Sequence, residues 1–520
     1  MAETIVLLTP PSHTHRTAEE NLGLGYLAAT LRAAGFPVRI VDGWLRNLTI
    51  EEVVREISAT PHPLLIGASC YRSSLDAMRE VITRVRTWNR TVPVVAGGYG
   101  PTFYDKDFLD AGVTYVLRGE AESSLLELAR ALSRRDGSHL EVCGLSRSDA
   151  YGVTRNGNVM PEENLDKLAF PARDTIERTL ALKNPVHVAT SRGCYAHCLF
   201  CAVTAFTRNM RQAPQWRERS IASVVNEIEY LHDTYGATCF KFVDDSFIEP
   251  PRDTRWAEDF AEELAKRRMR ISFRTQIRAD RVTPGLAATL ASAGWFATSI
   301  GVENGSPSAL KRMNKGATLS QNLEALHILK KHGVYVQMGM ILFDHATTLE
   351  ELRENLEFLA AQDWPITKGI FTEMYASAGT PYARLLEKRG IGKFSILGHR
   401  QYLPAEPKAR IVYGALREWH RSHAEIYDHA INPISAPKAV SETGYRRYHR
   451  ICRELYGRDV AFFRETLSRV ERGDSSTSVA AFAASKIESS RDVYRCIAGM
   501  LEFLDVRYGL EYKAEPNPFL

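Results

Sequence analysis

The chain has 520 residues, 44% of them hydrophobic, which is enough for about two to four domains with sizeable cores. A formal net charge of +4 does not indicate nucleic-acid binding, and eight mostly scattered cysteines do not form a disulfide framework. Residues 4–8 lack the basic lead of a signal peptide, and the apolar stretch 285–302 is interrupted by Gly294, so we expect a cytoplasmic protein without membrane contact.

Residues 1–135 alternate between apolar strand-like runs and helical patterns. The predicted strands are 4–8, 38–42, 64–69, 92–96 and 114–117, and the predicted helices are 22–34, 49–57, 74–88 and 105–111. Near-continuous apolar strands between helices predict a parallel sheet that is covered on both faces. Five such strands predict a flavodoxin-like, Rossmann-type α/β domain with its ligand at the carboxyl ends of the strands.

Two glycine-rich strings lie in this first domain. Residues 23–28 fit the dinucleotide pattern G-x-G-x-x-A, but 14 residues separate them from the first strand, whereas a dinucleotide site needs them directly after it. Gly97 and Gly98 end the fourth predicted strand without side chains, so a flat, bulky ligand can approach the backbone there. Hydroxyl groups near these strand ends could donate to amides or phosphate, namely Ser69, Ser73 and Thr102.

A linker is predicted over residues 136–185, followed by a second α/β domain over 186–385. Its predicted strands are 187–190, 240–244, 271–278, 298–303, 335–343 and 367–375, each followed by a helix or a loop. Six β/α units predict a partial barrel whose chemistry lies at the carboxyl ends of the strands. Residues 386–520 have a mostly helical pattern with interleaved aromatic and basic residues, which fits either a substrate-covering domain or a solvated helical face.

Three cysteines follow the first strand of the predicted barrel with the spacing C-x3-C-x2-C. Cys194, Cys198 and Cys201 can hold three irons of a [4Fe–4S] cluster and leave the fourth iron open to a substrate. The alternatives are three unrelated core thiols or a structural zinc site completed by His197. His197 sits between two of the cysteines, where it would strain a tetrahedral site.

This spacing, with Phe200 before the last cysteine, resembles the signature of the radical S-adenosylmethionine (SAM) enzymes. Six β/α units are similar to the partial (β/α)6 barrel of that family. Four strings of the first domain resemble the cobalamin (B12)-binding domain that precedes the barrel in one large class: residues 10–11, 21–28, 97–102 and 116–122. The chain therefore resembles a cobalamin-dependent radical SAM enzyme of the class B methyltransferase type.

The resemblance implies a [4Fe–4S] cluster on the three cysteines, SAM on the open iron, cobalamin in the first domain, and an external electron donor such as flavodoxin or ferredoxin. The implied cobalamin contacts are Ser69, Ser73, Gly97, Gly98, Thr102, Gly119 and Glu120. The implied SAM contacts are Asp244, Asp245, Arg274, Gln276, Arg278 and Glu303, with Tyr375 as the candidate substrate contact. For Asp244 the alternative is a helix cap.

One departure concerns the lower face of cobalamin. The D-x-H-x-x-G motif that carries a cobalt-binding histidine is missing, and His13 and His15 lie in the matching loop but in a different context. We therefore expect no histidine ligand from the protein. A first domain that no longer binds cobalamin is the alternative.

The resemblance implies a C-methyltransferase that acts on a small, secondary-metabolite substrate. The cluster would cleave SAM to a 5′-deoxyadenosyl radical, and methylcobalamin would supply the methyl group. One alternative is the same architecture catalysing a radical rearrangement, cyclisation or oxidation. Another is a non-catalytic cobalamin or iron–sulfur sensor, which would not need the polar residues of the barrel.

Overall fold

The computed structural model of the chain describes residues 3–11, 19–395, 398–431 and 442–510. Its first sheet contains β1 (Thr4–Thr9), β2 (Val38–Asp42), β3 (Pro63–Ser69), β4 (Val94–Gly97), β5 (Tyr115–Leu117), β6 (Leu145–Asp149) and β7 (Gly152–Arg155). The strand order is β2-β1-β3-β4-β5-β6-β7, and β1 to β5 are parallel. The order of these five strands is the flavodoxin-like order, which confirms the predicted fold class.

The sixth and seventh strands correct the sequence analysis. Residues 145–155 lie in the predicted linker, but they form an antiparallel hairpin that extends the sheet from β5. The hairpin registers Val116 against Ser146 and Leu117 against Leu145. Its exposed turn and charged residues gave no apolar strand signal, because only one end of this edge hairpin is buried.

Helices cover both faces of this sheet. They are α1 (Leu22–Ala33), α2 (Ile50–Ser58), α3 (Leu75–Trp88), α4 (Tyr99–Phe103), α5 (Asp105–Asp110) and α6 (Glu122–Arg134). One face buries α1 and α6, and the other buries α2 and α3, so each face has its own apolar core. The helix α2 begins at a capping box, in which the side chains of Thr49 and Glu52 each accept a hydrogen bond from the other residue's backbone amide.

The second domain is an open barrel with five regular strands. They are β8 (Val186–Val188), β11 (Cys239–Phe242), β12 (Ser272–Arg278), β13 (Trp295–Glu303) and β14 (Tyr335–Met340), all parallel. The predicted sixth strand is an extended segment joined to the sheet only by the bridges Gln337–Ile366 and Phe343–Glu373. A small sheet of β9 (Ser191–Gly193) and β10 (Trp216–Glu218) lies at the mouth.

Short and long helices surround the barrel. They are α7 (Ile176–Ala181), α8 (Ala202–Arg208), α9 (Ile221–Tyr235), α10 (Thr254–Lys266), α11 (Pro284–Ser292), α12 (Pro307–Arg312), α13 (Leu319–Lys331), α14 (Leu349–Ala360) and α15 (Pro381–Lys388). Along β12, Phe273 and Ile277 pack outward against these helices. The alternate residues Arg274, Gln276 and Arg278 therefore face the barrel interior.

Three long helices follow a small hairpin of β15 (Lys393–Phe394) and β16 (Arg400–Gln401) in the described residues. They are α16 (Pro407–Ile431), α17 (Glu442–Glu471) and α18 (Ser476–Tyr508). Their apolar faces belong to the same core as the barrel, and the Tyr456 hydroxyl donates to the Leu359 carbonyl of α14 at 2.7 Å. The aromatic residues between positions 405 and 470, among them Trp419 and Tyr448, are buried, so they are core residues and not a solvated face.

Candidate functional site

A cavity of about 530 Å³ lies between the carboxyl edge of the first sheet and the barrel. Loops after β3, β4 and β5 form one wall, and the start of the barrel forms the other. The sheet side of its lining includes Ser69, Gly97, Gly98, Gly119 and Glu120. The barrel side includes Ala189, Arg192, Gly193, Val243 and Asp245. Five of the residues predicted for cobalamin therefore line one cavity, and it opens next to Cys194.

The glycines of the cavity wall are of two kinds. Gly98 and Gly119 have φ values of 98° and 86°, which disfavour any side chain, and a Cβ at Gly98 would lie 3.1 Å from the Cys70 carbonyl oxygen. Gly97 has no such constraint, because its Cβ would meet only the Leu117 oxygen at 3.6 Å. A side chain at Gly97 would instead occupy the cavity, so this wall suits a flat and bulky ligand.

Aromatic residues that the sequence analysis missed also line the cavity. Trp44 stacks on Tyr71 with ring centroids 5.5 Å apart, and Tyr99 stacks on Phe206 at 6.4 Å. Tyr99 and Phe206 come from different domains, so they form a continuous apolar wall across the junction. Single aromatic residues scattered over 160 positions give no periodic signal in a sequence, and the fold alone brings them together.

Two of the predicted cobalamin residues do not line the cavity. The Thr102 hydroxyl donates to the Gly98 carbonyl at 2.8 Å and accepts from the Gly119 amide at 3.1 Å, so it fixes the two glycine loops from behind. Ser73 lies in the short helix Arg72–Ser74, away from the lining residues. The Thr102 hydroxyl therefore supports the wall, whereas Ser73 is apart from it.

The Glu120 carboxylate joins the two domains across the cavity. Arg192 donates to it at 2.8 Å, Arg217 forms a second ion pair with it, and Arg192 also pairs with Glu122 at 2.7 Å. Burial raises the pKa of Glu120, but the two guanidinium groups outweigh it and leave the pKa below its ordinary value. The predicted cofactor contact is thus an ionised structural residue at the cavity rim.

The three cysteines lie at the carboxyl end of the barrel, between β9 and α8. Cys194 directly follows β9, Cys198 is buried, and Cys201 is the residue before α8. Their thiols are free of disulfides, and burial raises the pKa of Cys194 to about 12 and that of Cys201 above its ordinary value. Within the described ranges no three His, Cys, Asp or Glu side chains converge tightly on one metal ion. Three cysteine thiols on one loop suit a [4Fe–4S] cluster that leaves one iron open, whereas a structural zinc site takes four ligands.

Charged groups surround the thiols. The Arg278 guanidinium lies 3.8 Å from the Cys198 sulfur and also donates to the Lys315 carbonyl at 2.9 Å. On the other side, the fully buried Glu249 accepts from the Cys194 thiol at 3.3 Å and is paired with Arg281 at 3.0 Å. Arg278, a predicted SAM contact, thus lies against the cysteine loop and is also paired with Asp280 at 3.0 Å. Nothing in the sequence around Glu249 indicates its position.

Neighbouring aspartates at the end of β11 have different environments. Asp244 is fully buried and accepts from the Thr190 amide at 2.6 Å, the Ser191 amide at 3.0 Å and the Thr190 hydroxyl, with Arg252 at 3.7 Å. Burial raises its pKa against these donors. The acceptor positions of Asp244 have partners within the chain, so its carboxylate fixes the strand that leads to Cys194, and its contact with the SAM ammonium group stays a prediction.

Asp245 is exposed to the cavity. Among the described residues its one hydrogen-bond donor is the Gly193 amide, at 3.0 Å, and desolvation within the cavity raises its pKa to about 6. It is the carboxylate that borders both the cavity and the cysteine loop. Of the two adjacent aspartates, this one can meet a bound ligand.

The barrel interior is polar and partly open. Gln276 on β12 and Gly339 on β14 are exposed although they lie on barrel strands, so the barrel interior is accessible. Arg274 lies deeper, towards the amino ends of the strands, and donates to Ser299 at 2.8 Å and Gln337 at 3.0 Å. Of the predicted SAM residues on β12, only Gln276 therefore has its side chain in open space.

Glu303 ends β13 at a bulge and has a φ of 69°, which is unusual for a residue with a side chain. Its carboxylate pairs with Lys315 at 2.9 Å over Gly301, where a Cβ would lie 2.3 Å from the Glu303 oxygen. Lys315 was not predicted as a site residue. The pair holds a carboxylate and an ammonium group at the mouth, above the open interior.

Tyr375 lies on the sixth segment of the barrel, half-buried beside the His399 ring at 5.5 Å. Burial raises its pKa, and the carboxylate of Glu373, two residues earlier, adds to this effect. Glu373 itself accepts from Tyr413 of α16 at 2.9 Å. The predicted substrate contact therefore borders the junction with the C-terminal helices and is apart from the cavity.

Two family models match the chain. A model described as the B12 binding domain matches residues 13–129, and one described as the Radical SAM superfamily matches residues 188–359. A protein named uncharacterised methyltransferase from Pyrococcus horikoshii is 28% identical over 375 residues, which are 69% of this chain and 78% of that protein. An anaerobic magnesium-protoporphyrin IX monomethyl ester cyclase from a Synechocystis strain is 25% identical over 69% of this chain and 71% of its own length.

The fold also matches a solved structure over nearly its full length. The structure of OxsB, a cobalamin-dependent SAM radical enzyme with aqua-cobalamin bound, has a TM-score of 0.77 and 18% identity. The match covers 99% of this chain and 83% of OxsB, so the likeness extends to the C-terminal helices. None of the helices in the described ranges is long and apolar enough to span a bilayer.

Proposed function

Since the chain belongs to the cobalamin-dependent radical SAM enzymes, we propose that it is a C-methyltransferase that acts on a small molecule of secondary metabolism. The observation that carries this proposal is the shared cavity. Its glycine wall belongs to the B12-binding domain, and its opposite wall, at Gly193 and Asp245, belongs to the loop that bears Cys194. A methyl donor in this cavity would border the barrel mouth, where a substrate carbon can be activated.

The chain's own residues have distinct roles in this proposal. Cys194, Cys198 and Cys201 hold the cluster, and Gly97 and Gly98 leave room for cobalamin. When bound, the cluster with SAM supplies one-electron bond cleavage, and cobalamin supplies a methyl group. An external one-electron donor of the flavodoxin or ferredoxin type completes the system.

The polar groups of the barrel orient what binds there. Asp245 and Gln276 face open space, and Glu303 lies at the mouth, paired with Lys315; these three are the groups offered to the amino group, the ribose or the substrate. Asp244 and Arg252 hold the strand before the cysteines in place. Tyr375 lies at the C-terminal junction, where it can contact a substrate that extends beyond the barrel.

The proposal is tested with SAM that carries a deuterated methyl group and with the reduced, reconstituted full-length protein. A methyltransferase must move the label to protein-bound cobalamin and release S-adenosylhomocysteine, in addition to 5′-deoxyadenosine. Mass spectrometry of the extracted cobalamin detects this transfer without knowledge of the final substrate. Release of 5′-deoxyadenosine with cobalamin that never takes up the label would contradict the proposal.

That contradicting result would favour a second candidate function. The relative named as a magnesium-protoporphyrin IX monomethyl ester cyclase indicates that similar chains carry out reactions other than methylation. A radical cyclisation or oxidation needs the cluster, SAM and the polar barrel interior. It does not need a methyl group on cobalamin.

A further inference from the structure

The outer face of α18 carries a continuous apolar stripe that no described residue covers. Phe503 is 62% exposed, Val506 is 83% exposed and Met500 is 41% exposed, and Cys496 is exposed as well. Positions 492, 496, 499, 503 and 506 alternate in steps of four and three, so they lie on one side of the helix. Large apolar residues grouped in this way are unusual on the surface of a monomer.

A second copy of the chain fits this stripe. Gly499 lies in its middle, with nothing within 4 Å of the place where its Cβ would be, so another helix can approach closely. In an antiparallel pairing centred between Gly499 and Met500, facing residue numbers sum to 999. Phe503 then meets Cys496 of the other copy, and the apolar residues of both copies cover each other.

The charges beside the stripe are complementary in the same register. Asp492, whose side chain is 89% exposed, faces Arg507 of the other copy, because their numbers also sum to 999. On the other flank, Arg495 lies about 3 Å along the axis from Glu502 of the other copy, within reach of its long side chain. A two-fold axis repeats both pairs, which makes the surface self-complementary.

The adjacent helix extends this contact. A groove between α17 and α18 is lined by Ile451, Met500 and Leu504 and bordered by Arg447 and Arg450. An isologous interface needs about 800 Å² from each partner, more than one helix stripe supplies. The groove shares Cys496, Gly499 and Phe503 with the stripe, so it widens the same contact surface towards α17. We propose that the protein is a homodimer in which the α18 helices pair antiparallel about Gly499 and Met500.

The oligomeric state of the full-length holoenzyme tests this directly. Sedimentation equilibrium under anaerobic, reducing conditions is expected to give twice the monomer mass at micromolar concentration. Phe503→Glu is expected to raise the dimer dissociation constant by about 30-fold or more, the effect of losing a central aromatic contact. Leu323, which is on α13 and 42% exposed, provides the matched control: Leu323→Glu places the same charge on an exposed apolar position of another helix and leaves the dimer unchanged.

A charge swap and a crosslink test the register. Asp492→Arg weakens the dimer, and Asp492→Arg combined with Arg507→Asp restores it. Phe503→Cys is expected to form a disulfide with Cys496 of the other copy on mild oxidation, and the added change Cys496→Ala removes it. Within one chain these positions are about 10 Å apart along the helix, too far for a disulfide.

Two results would overturn the proposal. One is a wild-type holoenzyme that stays monomeric at tens of micromolar. The other is a dimer that is unaffected by Phe503→Glu and gives no crosslink between positions 496 and 503, since that dimer would use another surface. Iron and cobalamin contents equal to those of the wild type establish that each variant is folded.

Discussion

Replacing Asp244 with asparagine separates a structural role from a ligand-binding one. The change removes the negative charge next to Arg252 and one of the two oxygens that hold Thr190 and Ser191. If the carboxylate fixes the strand before Cys194, the barrel loses stability whether or not SAM is present. If the carboxylate binds SAM, stability is unchanged and only SAM affinity falls.

The size of the loss follows from the contacts. Removing one partner of a buried ion pair costs about 3–5 kcal/mol, and Arg252 keeps its contact with Glu218 at 2.8 Å, which favours the lower end. We therefore expect about 3 kcal/mol. For a domain of the barrel's size, 1 kcal/mol lowers the melting temperature by about 2–4 °C, so the expected shift is about 6–12 °C.

The assay is calorimetry of the cluster-free and the reconstituted protein, with Asp245→Asn as the matched control. Asp245 has one backbone partner among the described residues and faces the cavity, so its change is expected not to lower the melting temperature but to weaken ligand binding. A wild-type melting temperature for Asp244→Asn, together with a weaker SAM dissociation constant, would refute the structural role.

Four further outcomes are expected. Desolvation raises the pKa of Asp245 from 3.8 to about 6, so the folded protein favours the protonated carboxyl. The wild type should therefore lose stability relative to Asp245→Asn as the pH rises from about 4 to 6. Denaturant titrations across that pH range measure the difference. Glu227→Gln should destabilise the joint between the domains by about 3–5 kcal/mol, because the buried Glu227 is paired with Arg173 at 2.7 Å; limited proteolysis near the linker would then be faster. Gly97→Phe should weaken cobalamin binding at least tenfold, read by absorbance after desalting, with unchanged iron content, since the new ring would occupy the cavity. Arg278→Met should make the cluster's midpoint potential more negative, because it removes a positive charge 3.8 Å from the Cys198 sulfur; an unchanged potential by redox titration would count against that contact.

The fold was largely predictable because its signal is local. Apolar strands between amphipathic helices gave the five parallel strands and their flavodoxin-like order, and the cysteine spacing identified the loop after the first barrel strand. The hairpin at residues 145–155 was missed because it is an edge element with little buried surface. The sixth barrel strand was too regular in the prediction, since only two bridges hold it.

The site was less predictable, because residue type does not report which partners a side chain already has. Asp244 and Asp245 are identical in sequence terms, yet one has its acceptors filled and the other faces the cavity. Arg278 alternates with Gln276 on the same strand face, but its length lets it reach Cys198. His13 and His15 lie outside the described residues, so the expectation about the lower face of cobalamin stays a prediction.

We propose that the chain holds two separable sites, one for a cluster on three cysteines and one for cobalamin in the adjoining cavity. The most direct test measures iron, sulfide and cobalamin in anaerobically reconstituted wild type, Cys198→Ala and Gly97→Phe. We expect about four irons and four sulfides with one cobalamin in the wild type. Cys198→Ala should lose most of its iron and keep cobalamin, and Gly97→Phe should lose cobalamin and keep its iron. Full iron content in Cys198→Ala, or cobalamin binding unaffected by Gly97→Phe, would contradict it.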